Sequence, residues 1–146
     1  MGKFKQQVAN FAEMAEEQAL AVARQAIQDM TIQMQVSVED GGKMPVDTGF
    51  LRWSGAGTLN NVPVGEVKGR SRRSDEPKDE PLPEYKQPQS DFLQNILAQM
   101  KAGDTFYWGW TAEYAQIQES EHRFMDSEVE KWQKYVDNTV RRLKHG

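Results

Sequence analysis

The sequence predicts an α+β fold in which a small antiparallel sheet is packed by a long N-terminal helix and a C-terminal helix, with one long extended loop. Three observations predict it: helical periodicity in the opening residues, the same periodicity at the end of the chain, and short β-type segments between them. The chain has 146 residues, a length that fits one domain, because compact domains cluster at about 100–150 residues.

The first segment has the pattern of one long amphipathic helix. Neither proline nor glycine occurs from residue 3 to about residue 38, and Asp40-Gly41-Gly42 provides a C-terminal cap. At 1.5 Å per residue this helix would be about 50 Å long, so we expect part of it to extend beyond the domain and contact another molecule. β-branched residues leave open a break near residues 31–36. The apolar face comprises Phe4, Val8, Phe11, Ala15, Ala19, Val22, Ala26 and Met30.

The centre of the chain begins with a turn and continues with β-type sequence. Residues 45–49 predict the turn, because proline fixes φ, Asp and Thr side chains bond nearby N–H groups, and glycine permits positive φ. Residues 50–59 predict one strand, bent at Gly55 and Gly57. Asn60-Asn61 predicts a hairpin turn into a second strand, whose alternating residues are Val62, Val64 and Val67.

Residues 70–90 change character abruptly. Four of the chain's six prolines fall there, among mixed charges and almost no apolar side chains. This composition predicts an extended, mobile arm without a role in the core. Loops of this length are uncommon inside compact domains and tend to be functional or disordered.

The second half alternates helix and strand. Residues 92–100 have helical spacing, with Ser90 or Asp91 as the N-cap and Gly103 just past the end. Residues 105–111 give the strongest strand pattern, with Phe106, Trp108 and Trp110 on one face and Tyr107 on the other, so we expect both faces to be covered. Residues 114–119 fit either a continued strand or a helical turn. The closing helix places six apolar residues on one face: Phe124, Val129, Trp132, Val136, Val140 and Leu143.

Composition excludes several classes of site. The absence of cysteine excludes disulfides, thiolate catalysis and cysteine-based metal sites. A net charge of -4 and a pI near 5.3 argue against a dedicated nucleic-acid binder. No long apolar run or signal-peptide core is present, so we expect a soluble intracellular protein with no membrane partner. The mean hydropathy of -0.79 indicates solvated segments or a core completed by partners.

Residue types that carry catalysis are scarce. His122 lies among carboxylates and His145 is the penultimate residue, and neither belongs to a pair with metal-ligand spacing. Asp47-Thr48-Gly49 also occurs in aspartic proteases, but the three residues are ordinary turn chemistry and here follow a long helix. A hydrolase is therefore the third functional hypothesis, and we predict no catalytic residue, no cofactor and no metal.

Two further features leave a nucleic-acid interpretation open. Arg70, Arg72 and Arg73 form a basic cluster of the kind that contacts phosphates, although acidic residues follow within a few positions. The aromatic run at residues 106–110 resembles a base-stacking platform, but because no lysines or arginines surround it, core packing and an intersubunit contact explain it better. A nucleic-acid or regulatory protein-binding module is the second functional hypothesis.

Pro45-Val46-Asp47-Thr48-Gly49-Phe50-Leu51-Arg52-Trp53-Ser54 resembles the Pro-Val-Asp-Thr-Gly-x-Leu-Arg-x-Ser signature of tailed-bacteriophage neck or tail-completion proteins, where it follows a long N-terminal helix. Residues 103–110, then Tyr114-Ala115 and Glu119, are similar to that family's glycine-rich strand, Tyr-Ala pair and Glu-Tyr-Gly motif. The likeness spans the whole chain in order and includes the closing helix. It departs where Ser120-Glu121 stands in place of Tyr-Gly.

The resemblance implies a non-enzymatic structural protein of the virion tail or neck, assembled in the host cytoplasm. It implies a cyclic homo-oligomer, a hexamer like the tail tube, that completes or terminates the tail and joins it to the head. Its partners would be neighbouring neck, connector and tail-tube proteins, and the ring would enclose passing DNA without sequence-specific binding. Stopper, terminator and completion positions all stay open. We also hypothesise, from the net charge of -4, an acidic lumen that repels the DNA.

The candidate site residues follow from this resemblance. Those expected to set the turn and its surroundings are Pro45, Asp47, Thr48, Gly49, Leu51, Arg52, Tyr114, Ala115 and Glu119. Those expected to carry the arm to a neighbouring subunit or ring are Arg70, Arg72, Arg73, Pro81, Pro83 and Tyr85.

Overall fold

The computed structural model describes residues 2–61, 68–86 and 91–145, and it has the expected α+β fold. The elements, in chain order, are helix α1 (Gly2–Met34), the helical turn α2 (Phe50–Trp53), strand β1 (Gly55–Leu59), helix α3 (Asp91–Gln99), strand β2 (Phe106–Trp110) and helices α4 (Ala115–His122), α5 (Asp126–Val129) and α6 (Trp132–His145). Among the described helices, none is both long enough and apolar enough to cross a membrane.

Helix α1 confirms the predicted N-terminal helix but ends before residue 38. Its last residue is Met34, and a separate 3-10 turn follows at Val38–Asp40, closed by Gly41 at a φ of 94°. The Ser37 hydroxyl accepts a hydrogen bond from the backbone N–H of Asp40. The break within residues 31–36, which the β-branched residues left open, is therefore the correct alternative.

Residues 50–53 form α2, so the prediction of one strand over residues 50–59 is wrong in its first half. A strand would send Phe50 and Leu51 to opposite faces, whereas the helical turn buries both side chains. The Ser54 hydroxyl then donates to the Leu51 carbonyl at 2.7 Å. The tertiary demand to bury two consecutive apolar residues has overridden the β-type pattern.

Strands β1 and β2 pair antiparallel in a two-stranded sheet, with Gly55 opposite Trp110. Strand β2 is the predicted aromatic strand, and its Phe, Trp and Trp side chains share one face as expected. A Cβ on Gly57 would lie 2.9 Å from the Trp108 indole ring, so the glycine makes room for the tryptophan. The predicted second strand at Val62, Val64 and Val67 lies outside the described residues.

Among the described residues, two hydrophobic clusters form the core, and β2 contributes to both. The Phe50 cluster contains Met44, Phe50, Leu51, Ala112 and Phe124, and Trp110 packs on it. The Leu93 cluster contains Ile27, Leu93, Leu97 and Met100, and Phe106, Trp108 and Trp132 pack on it. Because Ile27 belongs to α1 and Trp132 to α6, both helices pack against the sheet as predicted. Helix α3 also lies where predicted, although its expected cap Ser90 is outside the described residues.

The C-terminal segment is broken where the sequence predicts one helical face from Phe124 to Leu143. Residues 114–119 adopt the helical alternative, and Arg123, with a φ of 51°, ends α4. Phe124 therefore lies in a turn, with its ring edge-on to Trp110 at a centroid distance of 4.9 Å. On α5 and α6, Val129 and Leu143 remain about half exposed.

Residues 70–84 form a compact Ω-loop, a surface loop whose ends lie close together and whose interior is filled by its own side chains. The Arg70 guanidinium closes the loop by binding Glu84 at 2.7 Å. Leu82 is only 1% exposed. The expectation that this segment has no role in the core is therefore wrong. The buried Leu82 and Tyr85, just after the loop, anchor an otherwise polar sequence to the core. Residues 87–90 lie outside the described residues.

The buried Leu82 generates a stability prediction. Leu82→Ala should lower the free energy of unfolding by about 2–5 kcal/mol, since it leaves a cavity under the Ω-loop, as measured by urea denaturation. Lys78→Ala, at an exposed position of the same loop, is the matched control and should change it by less than about 0.5 kcal/mol. Equal effects of the two substitutions would contradict a core role for the loop.

Candidate functional site: a turn closed by two other segments

The turn at residues 45–49 is built as its residue types predict. Gly49 has a φ of 90°, in the left-handed region that favours glycine, and its carbonyl begins α2 by accepting from the N–H of Trp53 at 2.9 Å. The Thr48 hydroxyl accepts a hydrogen bond from the N–H of Phe50 at 3.3 Å. Asp47 instead points outward, with a side chain 84% exposed.

The Ω-loop closes directly on this turn. The N–H of Leu82 donates to the Thr48 carbonyl at 2.8 Å. A Cβ on Gly49 would lie 2.5 Å from the carbonyl oxygen of Tyr85 and 3.0 Å from the Pro81 side chain. Gly49 is therefore required twice, once for the backbone conformation and once for the close approach of a second segment.

Aromatic packing secures the same contact. The Tyr85 ring lies 5.0 Å from Phe50 and 5.3 Å from Trp53, measured between ring centroids, and both pairs are tilted. Arg52 donates from its guanidinium to the carbonyl of Lys86 at 3.0 Å. Of the predicted arm residues, Pro81 and Tyr85 thus contact the turn of their own chain, whereas Pro83 is exposed.

Ion pairs of Arg70 hold the Ω-loop in shape. Arg70 binds both Glu76 and Glu84 at 2.7 Å. Hydrogen bonds from Arg70 and from the backbone of Arg73 lower the pKa of Glu76 to about 2, and Arg70 likewise lowers the pKa of Glu84. The Arg73 side chain is exposed.

Arg72 links the loop to the turn. Its guanidinium donates to the Asp47 carboxylate at 2.9 Å and to the Asp47 carbonyl at 3.0 Å. It also donates to the carbonyls of Pro77 and Glu80 within the loop. In an aspartic-protease site, the catalytic aspartate shares a proton with a second carboxylate. Here the partner of the Asp47 carboxylate is the Arg72 guanidinium, so the geometry does not favour the hydrolase hypothesis.

A third segment, residues 111–119, completes the site. Tyr114 packs on the Phe50 cluster with its ring centroid 6.4 Å from that of Phe50, and burial raises the pKa of its hydroxyl. Ala115 packs against the Phe50 cluster. The N–H of Ala112 donates to the Ser54 hydroxyl at 3.2 Å, which joins this segment to the end of α2.

Glu119 has a capping role within the same segment. Its two carboxylate oxygens accept hydrogen bonds from the N–H groups of Met125 and Asp126, both at 2.9 Å. These N–H groups lie at the start of α5, where a carboxylate satisfies the unpaired donors. Glu119 therefore fixes the sharp reversal between α4 and α5 that buries Phe124.

An open cleft of about 460 Å³ lies between the turn, the Ω-loop and α4. Its lining includes Thr48, Arg70, Arg72, Tyr114 and Gln118. Within the described part of the chain, no three His, Cys, Asp or Glu side chains are grouped so that they could hold a metal ion. His122 is exposed at the end of α4, beside Glu121.

The sequence-predicted motif residues and two unpredicted ones meet in this site. Glu76 and Leu82 were not singled out, although each makes a contact described above. A lone leucine in a polar segment is the local signal that points to Leu82. Comparison with known proteins identifies no matching family model, no similar curated protein and no similar solved structure.

Gly49 generates the sharpest stability prediction of the site. Gly49→Ala should destabilise the fold by about 3 kcal/mol or more, because it adds a backbone collision to the left-handed strain. Gly103→Ala is the matched control: Gly103 also has a φ of 90°, but a Cβ there would meet nothing within 4 Å. The control should cost only about 1–2 kcal/mol. Equal losses in chemical denaturation would show that the Ω-loop does not close on the turn.

The ion pairs of Arg70 generate a pH prediction. The pKa of Glu76 falls from 4.5 to about 2 on folding, so its contribution to stability is present above pH 4.5 and is lost as the pH falls towards 2. An NMR titration of the Glu76 carboxyl carbon should show the low midpoint, and Arg70→Met should raise it. A midpoint near 4.5 in the unmodified chain would contradict the Arg70 contacts.

Proposed function

We propose that this chain is a structural subunit of the head–tail junction of a tailed phage, where it forms a ring that completes or terminates the tail and joins it to the head. The observation that carries the proposal is the convergence of the two signature parts. Thr48 and Tyr114, far apart in sequence, line the same cleft, and Tyr114 packs on the Phe50 cluster. The resemblance that named both residues gave no information about their proximity.

The roles of the signature residues support a building block rather than an enzyme. Gly49 permits a close approach, Arg52 binds a backbone carbonyl, Ala115 packs, and Glu119 caps a helix. Each of these contacts maintains a shape. A signature whose members maintain a shape fits a family of subunits that share an architecture and assemble through surfaces.

Helix α1 supports contacts outside the subunit. Of its side chains that the structure describes, those at residues 16–19 are exposed, and Leu20 packs on the Leu93 cluster. At about 50 Å, a helix of 33 residues suits a neighbour in a ring or in the next ring. In this proposal the neighbours are other copies of the chain in a hexamer, the connector and the tail tube, with DNA passing through without sequence-specific binding.

The residues that would carry the nucleic-acid alternative are engaged in contacts within their own chain. Arg70 and Arg72 are bound to carboxylates and carbonyls of their own chain. Phe106, Trp108 and Trp110 pack into the two hydrophobic clusters. A phosphate or a base would have to displace these contacts, so the described geometry favours the structural role.

Location in the particle tests the proposal. An epitope tag on this chain, supplied in trans to a phage that encodes it, should purify with virions and carry immunogold label to the head–tail junction. The same tag on an unrelated host protein should be lost on the density gradient. Absence from purified virions, together with salt-dependent DNA retention on filters, would instead support the binding-module hypothesis.

A further inference from the structure

Residues 126–145, which include α5 and α6 and which we call the C-terminal unit, are held to the rest of the fold by half-buried apolar side chains. Helix α6 runs along α1, but the side chains that the described part of this unit buries fully are polar: Ser127, Glu128 and Thr139. The shorter helix α3, by contrast, buries both Leu93 and Leu97. Because the local stability of an element follows the apolar surface that it buries, the C-terminal unit is held less firmly than α3.

Two side chains of α6 connect it to named partners in the rest of the fold. Trp132 packs on the Leu93 cluster, and Val136 and Val140, farther along the helix, are only partly buried. Arg142 forms an ion pair with Asp29 of α1, and the two side chains are 59% and 28% exposed. Water reaches both members of this pair, and exposed ion pairs contribute little to stability. Trp132 is therefore the anchor whose removal should loosen α6 most.

The C-terminal unit is braced by contacts within itself. The buried Glu128 carboxylate accepts hydrogen bonds from the Tyr135 hydroxyl and from the Lys131 ammonium group, whose nitrogen lies 3.4 Å away. Both partners belong to the same unit, so the unit can separate from α1 without leaving an unpaired charge in the protein interior. The buried Ser127 hydroxyl has no hydrogen-bond partner among the described residues, and it gains water when the unit opens.

The chain just before the C-terminal unit is fixed in the core. Phe124 is 1% exposed, and its ring packs edge-on against Trp110. The turn that follows is capped by Glu119, which accepts hydrogen bonds from the N–H groups of Met125 and Asp126. A firmly anchored residue directly before a weakly attached segment sets a pivot, so the residues after Phe124 can turn away while its ring stays in place.

We propose that the C-terminal unit is a hinged element that swings away from α1 while the rest of the fold, including the Phe50 cluster, stays intact. Opening withdraws Trp132 from the Leu93 cluster and exposes the side of α1 that α6 covers. The chain can therefore change the surface that it offers along α1 without unfolding. This inference does not depend on the proposed function, because every contact that carries it lies within one chain.

Native-state hydrogen exchange of the full chain, followed by NMR, tests the hinge. The hydrogen-bonded amides of residues 129–142 should share one opening constant, about tenfold or more larger than that of Tyr107 and Gly109 in β2. Low concentrations of urea should hardly change the exchange of residues 129–142 but should accelerate that of the two β2 amides, because urea acts in proportion to the surface exposed on opening. Exchange rates that rise gradually towards the end of α6 would indicate fraying and overturn the hinge.

Variants separate opening of the unit from global unfolding. Leu82→Ala, in the Ω-loop, should accelerate exchange of the two β2 amides by about tenfold or more and leave residues 129–142 within about twofold, because the hinge does not involve the loop. Trp132→Ala should accelerate residues 129–142 by about tenfold or more, whereas Gln133→Ala, at the exposed neighbouring position, should change them by less than about twofold. Equal acceleration of both regions in Leu82→Ala, or no response to Trp132→Ala, would overturn the hinge.

Discussion

The close approach of the Ω-loop to the backbone of Thr48 and Gly49 is the contact on which the signature half of the molecule depends. The hydrogen bond from Leu82 to Thr48 forms only because Gly49 carries no side chain at the point where Tyr85 passes. Once the loop is in place, Tyr85 covers Phe50 and Trp53, and the Phe50 cluster is closed from that side. The signature glycine is thus a packing constraint as much as a turn residue.

Further contacts then join this turn and loop to α4 and α5. Arg72 ties the loop to Asp47, Tyr114 packs on Phe50 just before α4, and Glu119 caps the start of α5. The result is a subunit whose surface loop has a fixed shape although its sequence is charged and rich in proline. A fixed loop suits assembly with identical neighbours, because a preorganised surface loses less entropy on binding than a disordered arm does.

Hydrophobic periodicity predicted the elements whose structure is determined by their local sequence. The long helix, α3, the aromatic strand β2 and the α+β class all follow from spacing and composition. The failures share a cause, namely contacts between residues distant in sequence. Burial of both Phe50 and Leu51 turns a strand pattern into a helix, Arg123 and Glu119 break the closing helix so that Phe124 can reach Trp110, and one buried leucine converts an expected arm into an Ω-loop. The signature located most of the site residues, but it could not show that Ser54, Glu76 and Leu82 hold them together.

The proposed structural role at the head–tail junction is tested most directly by electron microscopy of lysates from a phage lacking this gene. We expect unfinished particles: DNA-filled heads beside detached tails for a joining ring, or overlong tails for a terminator. Supplying the intact chain in trans should restore complete virions. Normal, infectious particles in the absence of the gene would contradict the proposed role.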